Sequence, residues 1–517
     1  MMNVPALSFS RIVASLNTII NVDTLPWDAM DKSEILSIAA RKNMFLSPDA
    51  LEIIMSNSDP EAFTYTVLSS LANNPMFITK EDVMSCLQGD MTVIESPKTF
   101  TPHNKANSEI KVIEGTDVTG NSTCVGDIDD FFRYFMSRYN TLKRIIEHRR
   151  DFDGRSVYIK DAMDRAVDRE MRIIGIINDR KITANGHIML TVEDDGGDKN
   201  SICKVLISKD SPYINDIFVQ DEVVGFSGKV AKKEGGRSNM FIASKVFKPG
   251  VPKDHRWIPS DSDSTVAFLS DIHIGSYTFL EKRWEKMVQW LKQNCGPKQI
   301  NYIVMPGDVV DGIGIFPGQE EELVISDIYG QYEKLAEYLK DIPDDIKMVI
   351  HPGNHDACRP AEPQPALNNI FTKTFDSNVM MVGNPVFLNI EDRTILTYHG
   401  RSIDDWVAGV QQLTYENPLM VMREMMNSRH LAPIYGQKTA LAPEKKDFMA
   451  IEMVPDIFIS GHVHGYGYMD YMGVKMINAS TWQDQTDYQK MHNFNPKPGI
   501  MPMVHLGTGL VTKEVFE

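Results

Sequence analysis

The sequence predicts an α/β fold: a layered α/β sandwich, preceded by a five-stranded β-barrel and a small N-terminal helical domain. Three observations carry this. From Thr265 onward, short apolar β-runs alternate with stretches whose apolar residues recur at helical spacing. Between Met171 and Phe247, five β-runs are punctuated by glycine. Near the start, the apolar residues follow helical spacing instead.

Residues 1–90 are read as the helical domain. Ser47-Pro48 offers an N-cap followed by proline at the first helical position, with Leu51, Ile54 and Met55 on one face. Thr79, with Asp82 three residues on, opens a second helix. No constellation of reactive side chains occurs here, so docking rather than catalysis is expected. Residues 91–126 are rich in Thr, Ser, Asn, Pro and Gly without a sustained period, and read as a flexible linker. In the connecting segment 127–165, a helix is expected from Asp127 to Arg150, with Phe131, Phe135, Tyr139 and Ile146 as its buried stripe. Its end gathers Lys143, Arg144, His148, Arg149 and Arg150, either a favourable cationic C-terminus on a solvated face or a nucleic-acid contact.

The barrel occupies residues 166–250. Its strands are Met171–Ile177, His187–Val192, Ser201–Ile207, Glu222–Val230 and Met240–Phe247, broken at Asn185-Gly186, Gly196-Gly197 and Gly235-Gly236. Five strands in this length suit an oligonucleotide/oligosaccharide-binding (OB-type) barrel. Its aromatics Phe226, Phe241 and Phe247 serve either strand binding or the core. Pro249, Pro252 and Pro259 mark a linker to residues 263–517. There, Thr265–Ser270, Asn301–Met305, Ile346–Ile350, Thr394–Tyr398 and Asp456–Ser460 read as buried strands. Leu280, Trp284, Val288 and Leu291, then Ile328, Tyr332, Leu335 and Leu339, mark helices between them.

A chain of 517 residues exceeds a single core, and its 42% hydrophobic and 24% charged residues are ordinary for a globular protein. No apolar stretch approaches the ~20 residues needed to span a bilayer, and no basic segment followed by a long apolar one opens the chain. A cytoplasmic location and no membrane partner are expected. Cys86, Cys124, Cys203, Cys295 and Cys358 are scattered, which argues against a disulfide framework or a zinc ribbon. A net charge of −17 argues against strong DNA binding by the chain alone. If it acts on DNA, a basic partner or bound metals must hold the strand.

The chemistry lies at the strand exits. Asp271 and His273, Asp308, Asn354-His355-Asp356, His399, and His462 and His464 form five short polar segments, four of them directly after an apolar β-run. In α/β folds, sites gather at the carboxyl ends of strands. The spacing of Asp271 and His273 lets both side chains point the same way from an extended exit, and His462 and His464 are read likewise. Together these residues supply enough oxygen and imidazole ligands for two adjacent divalent ions, an arrangement suited to hydrolysing phosphate esters. Asp308 is the bridging candidate, with Asp271, His273 and His464 on one ion and Asn354, His399 and His462 on the other. His355 is left beside the phosphate as proton donor, held by Asp356. A set of nitrogen and oxygen ligands without thiolate suits Mn, Fe or Zn better than Mg or Ca. Arg401 is placed either on a phosphate or in a salt bridge with Asp404 or Asp405.

These segments resemble the calcineurin-like metallophosphoesterase superfamily, whose pattern Asp-x-His, Gly-Asp, Gly-Asn-His-Asp/Glu, His, Gly-His-x-His is complete between Thr265 and Ser480. A narrower likeness runs from Met171 to the C-terminus. Gly307-Asp308-Val309-Val310-Asp311-Gly312-Ile313-Gly314, Phe316-Pro317-Gly318-Gln319-Glu320, His351-Pro352-Gly353-Asn354-His355-Asp356 and Tyr398 through Asp405 are similar to the small subunits of archaeal D-family DNA polymerases. That resemblance implies a heterodimer whose large subunit polymerises while this chain supplies 3′-to-5′ proofreading at DNA 3′ ends. It also implies Mn²⁺ as the favoured metal, and contact with a sliding clamp through the complex. The rival expectations are a free-standing phosphatase or phosphodiesterase with the same ligands, and a non-catalytic polymerase scaffold.

Overall fold

The computed structural model describes residues 45–55, 64, 67, 77–80, 83, 84 and 109–517, the last range without 165–168, 197–199, 232–239 and 492–493. The described residues between 45 and 84 belong to one compact unit, and those from 109 onward to a second.

In the first unit, helix Pro48–Met55 begins as expected: the Ser47 hydroxyl accepts from Ala50 N at 3.2 Å. The unit is not wholly helical, since Phe45–Leu46 pairs in parallel with Phe77–Ile78. Ala50, Ile54, Val67, Ile78 and Val83 are buried together, and Leu51 and Met55 pack against them half-buried. Asp82 lies outside the described residues.

The second unit begins with the part of the predicted linker that the structure corrects. Ile110–Val112 is an edge strand antiparallel to Val386–Ile390. Asp117 accepts from Gly383 N at 3.0 Å, and the Glu444 carboxylate takes Ser122 Oγ at 2.6 Å and Cys124 N at 3.0 Å. Residues 109–126 are therefore part of the folded domain, and 91–108 lie outside the described residues. Helix Ile128–Glu147 follows, N-capped by Asp127. It buries Tyr134, Phe135, Tyr139, Leu142 and Ile146, together with Arg138. The Arg138 guanidinium reaches Asp447 Oδ2 at 2.8 Å, the Pro433 carbonyl at 2.6 Å and the Asp221 carbonyl at 3.2 Å. One buried cation thus ties the helix to the barrel and to the C-terminal domain.

The barrel closes in the order Met171–Ile182, Ile188–Glu193, Ile202–Ile207, Met240–Phe247, Val223–Val230. Phe226 and Phe241 are fully buried and Phe247 nearly so, which makes them core and leaves none as an exposed stacking face.

Two six-stranded sheets make the sandwich. The first runs Val379–Met381, Lys347–His351, Ile300–Pro306, Thr265–Phe268, Ile500–His505, Val511–Val515. The second runs Tyr466–Tyr471, Val474–Ala479, Ile457–Ser460, Arg393–Tyr398, Val386–Ile390, Ile110–Val112. The central strands of each are parallel and are buried along nearly their whole length because both faces are covered. Val266, Phe268, Val304 and Val349 of one sheet meet Ile395, Ile457, Ile459 and Ile477 of the other. Helices Glu281–Asn294 and Ile328–Lys340 bury the predicted Trp284, Val288, Leu291, Tyr332, Leu335 and Leu339. Helix Pro418–Ser428 sits against the second sheet through Val421, Met422, Met425 and Met426. Among the described residues no helix is long and apolar enough to cross a membrane.

Candidate metal centre

Every predicted ligand follows the carboxyl end of a parallel strand. Asp271, His273, Asp308 and Asn354 leave the first sheet after Phe268, Pro306 and His351. His399, His462 and His464 leave the second after Tyr398 and Ser460. The site therefore exists only because two sheets end at one place.

The exits are not extended, and the period-two reading of Asp271/His273 and His462/His464 is corrected. Asp271, His273, Asp308, His462 and His464 have φ of 53°, 56°, 50°, 70° and 53°. Non-glycine residues rarely adopt this left-handed region, and such strain persists where surrounding bonds fix it. Asp271 N donates to Gly307 O and His273 N to Asp308 O, both at 3.1 Å. The Asp271 carboxylate accepts from His462 N at 2.9 Å, which fastens the two sheets' loops together. Gly353 allows a close approach, since a Cβ there would stand 2.2 Å from Asp308 Oδ1.

Two groups gather the predicted ligands, and a third cluster, His273, Asp311 and His355, shares His273 with the first. In one, His273 Nε2 lies 3.1 Å from His464 Nε2, and His464 Nε2 lies 3.4 Å from Asp271 Oδ1. In the other, His399 Nε2 lies 3.2 Å from Asp308 Oδ2 and 3.0 Å from Asn354 Oδ1, with His462 within reach. Asp308 Oδ2 is also 3.9 Å from His273 Nε2, so it stands between the groups.

The donor chemistry fits cations. His399 Nδ1 donates to the Pro306 carbonyl at 2.9 Å, which leaves its Nε2 lone pair facing two oxygen acceptors. Three acceptors converging in a buried place require a positive centre between them. Without one, burial works against ionisation, yet Asp308 draws the His399 pKa up to about 10. Asp308 is in turn held well below the usual carboxylate range by His399 and His355, although burial opposes this. His462 lies 3.6 Å from Asp404, whose pKa falls to about 2 against the effect of burial.

Several functional side chains escaped the sequence reading. Asp311 accepts from His273 Nδ1 at 2.8 Å and from Gln319 and Gln483 at 2.9 and 3.1 Å. It fixes the tautomer that turns Nε2 inward, the usual support for a metal-ligating imidazole. His464 Nδ1 is held by the Gln489 side chain at 2.8 Å. Asp311 and Gln319 stand in the two segments that carry the family likeness, but nothing in those segments marks their part in holding His273.

Two expectations are corrected. His355 is not held by Asp356, because its Nδ1 donates to the Asp311 carbonyl at 2.7 Å. Asp356 instead accepts from Gly353 N at 2.8 Å and Tyr332 OH at 3.1 Å, buttressing the loop, and burial beside Asp308 pushes its pKa up to about 6. Arg401 donates to the Pro360 carbonyl at 2.7 Å and makes no salt bridge with Asp404 or Asp405 among the described residues. Asp405 caps Lys438 N and Thr439 N instead.

Comparison with known proteins places this geometry. Residues 264–466 match the calcineurin-like phosphoesterase family. The DNA polymerase II small subunit of Archaeoglobus fulgidus is 39% identical over 476 residues, 89% of this chain and 93% of that one. That of Methanocaldococcus jannaschii is 39% identical over 406 residues, 77% of this chain and 67% of its own. That of Methanothermobacter thermautotrophicus is 35% identical over 493 residues, 92% and 98% of the two chains.

Proposed function

The chain belongs to the DNA polymerase II small subunits, and on that footing we propose that it is a 3′-to-5′ proofreading exonuclease working in a heterodimer with a large polymerase subunit. The observation that supports the reading is Asp308 between two groups of imidazole and oxygen atoms, the first buried and the second half-open at Asn354 and His462. Asp271, His273 and His464 would hold one divalent ion, and Asn354, His399 and His462 the other, with Asp308 shared. Mn²⁺ is the ion proposed, in keeping with the ligand chemistry. When bound, such a pair supplies an activated water and neutralises charge on the phosphoryl oxygens.

The chain's own residues do the rest. The Asp311 carbonyl holds His355 Nδ1–H, so a second proton on the ring sits on Nε2. From there it passes to the 3′ oxygen as the P–O bond breaks, freeing a 5′-nucleotide. The net charge of −17 suits a subunit whose partner grips most of the DNA.

The test is digestion of 3′- and 5′-labelled strands, and of a primer with a mismatched 3′ end, by the purified chain in Mn²⁺. Stepwise loss from the 3′ end, absent in Asp308→Ala, is expected. Loss from the 5′ end only, equal loss in the variant, or inactivity even with the large subunit added would refute the proposal.

A further inference from the structure

A cleft of about 740 Å³ opens where the end of helix Ile128–Glu147 meets residues 249–254 and 452–454, and no candidate metal ligand lines it. Five cations do: Arg144, Arg149, Arg150, Lys253 and Arg429. Three have a carboxylate nearby. Arg149 pairs with Asp151 at 2.7 Å, Arg150 with Asp254 at 3.5 Å and Arg144 with Glu452 at 3.8 Å. Glu452 is also shared with Lys446 at 2.7 Å. Arg429 and Lys253 have no carboxylate at ion-pairing distance among the described residues, so the cleft carries an excess of positive charge in an acidic protein.

Arg429 is the unusual member, because it is only 3% exposed. It caps helix Pro418–Ser428 with φ 52°, and its Nε donates to the Ile451 carbonyl at 2.6 Å and its Nη1 to the Gly250 carbonyl at 3.2 Å. Its Nη2 meets no acceptor among the described residues. Burial pulls its pKa down to about 10. Glu452 across the cleft opposes that shift without touching the guanidinium, and a buried charge with no carboxylate in contact is costly, a cost that an incoming anion relieves. The planar guanidinium, anchored through Nε and Nη1 by two carbonyls, leaves Nη2 to donate to an oxyanion such as a phosphate oxygen.

We propose that this cleft is a phosphate seat, in which Arg429 binds one phosphate group of a free nucleotide or of a nucleic-acid strand, with Lys253 and Arg150 closing on it from the rim. Asp151, Asp254 and Glu452 around the cleft disfavour a run of phosphates, so a single group is taken. Cleft volume is within the range of small-ligand sites. The inference is independent of the nuclease reading.

The test uses the full chain in EDTA at low salt, so that ions at the metal centre play no part. Inorganic phosphate, thymidine monophosphate, a twelve-residue oligothymidylate and a glutamate-rich peptide are titrated by calorimetry. One-site saturation by a phosphate-bearing probe is expected, weakened at least tenfold in Arg429→Gln. Because Arg429 also anchors two carbonyls, the exposed pair Arg150→Ala with Lys253→Ala serves as a second variant, expected to weaken binding several-fold with unfolding unchanged. Saturation by phosphate and the mononucleotide identifies a free-nucleotide seat, and saturation by the oligonucleotide alone identifies a strand seat. No saturation by any phosphate probe, equal affinity in both variants, or binding of the peptide alone would overturn the proposal.

Discussion

His399 Nε2 and Asp308 Oδ2 meet at 3.2 Å although their strands belong to different sheets. The contact makes the metal centre a report on how the two sheets are packed. Any change that slides one sheet on the other separates two residues that the proposed ion would share. Core substitutions between Val304 and Ile459 should therefore lower metal affinity as well as stability.

Asp311 should act through His273. Asp311→Asn keeps the shape but replaces the acceptor of His273 Nδ1–H with a weaker one. Metal affinity should fall about 10–100-fold, the usual loss when such a support is removed. Equilibrium dialysis against Mn²⁺ measures it, and unaltered affinity would show that the carboxylate supports only Gln319 and Gln483.

His355 should act in the chemistry and not in binding ions. His355→Ala is expected to retain full metal content by elemental analysis while turnover drops roughly 10²–10⁴-fold. Loss of an ion from the variant would make His355 a ligand.

Much of this site could be read before the fold was known. Four of the five ligand segments directly follow an apolar β-run, and both features are local. What could not be read depends on distant partners. Ile110–Val112 is too short to announce itself, and its partner strand is more than 270 residues away. Gln483 and Asp311 come together only after folding. The left-handed turns at His462 and His464 were read as extended because alternation in the sequence looks the same in both geometries. Arg138 sat in a predicted amphipathic helix, yet nothing local marks it as the buried member.

Arg138 should be among the costliest residues to remove. Its loss leaves the buried Asp447 carboxylate with the His430 imidazole at 2.8 Å, whose pKa burial pulls down to about 4, and frees the Pro433 carbonyl. Arg138→Ala should destabilise the second unit by ~3–5 kcal/mol in urea unfolding. A change under about 1 kcal/mol would mean that His430 satisfies Asp447 alone.

Asp221 gives a pH signature. Burial pushes its pKa up to about 6 from an ordinary 3.8, against the opposing charge of Arg138. Between those values the folded chain keeps a proton that the unfolded chain has released, so this group's contribution to stability is full below about 4 and is lost as pH rises through 6. Asp221→Asn keeps an acceptor for Tyr435 N, and asparagine tolerates the φ of 61° at this position. The variant should gain on the parent by roughly 1–3 kcal/mol between pH 4 and 7.5. Parallel stability curves for the two proteins across that range would contradict the assignment.

The most direct measurement is the number of ions bound per chain, by equilibrium dialysis against Mn²⁺ with elemental analysis, in the parent and in Asp308→Ala. A shared bridging carboxylate predicts two ions in the parent and weakened binding of both in the variant. One ion or none in the parent, or two held with unchanged affinity by Asp308→Ala, would contradict a paired centre built on Asp308.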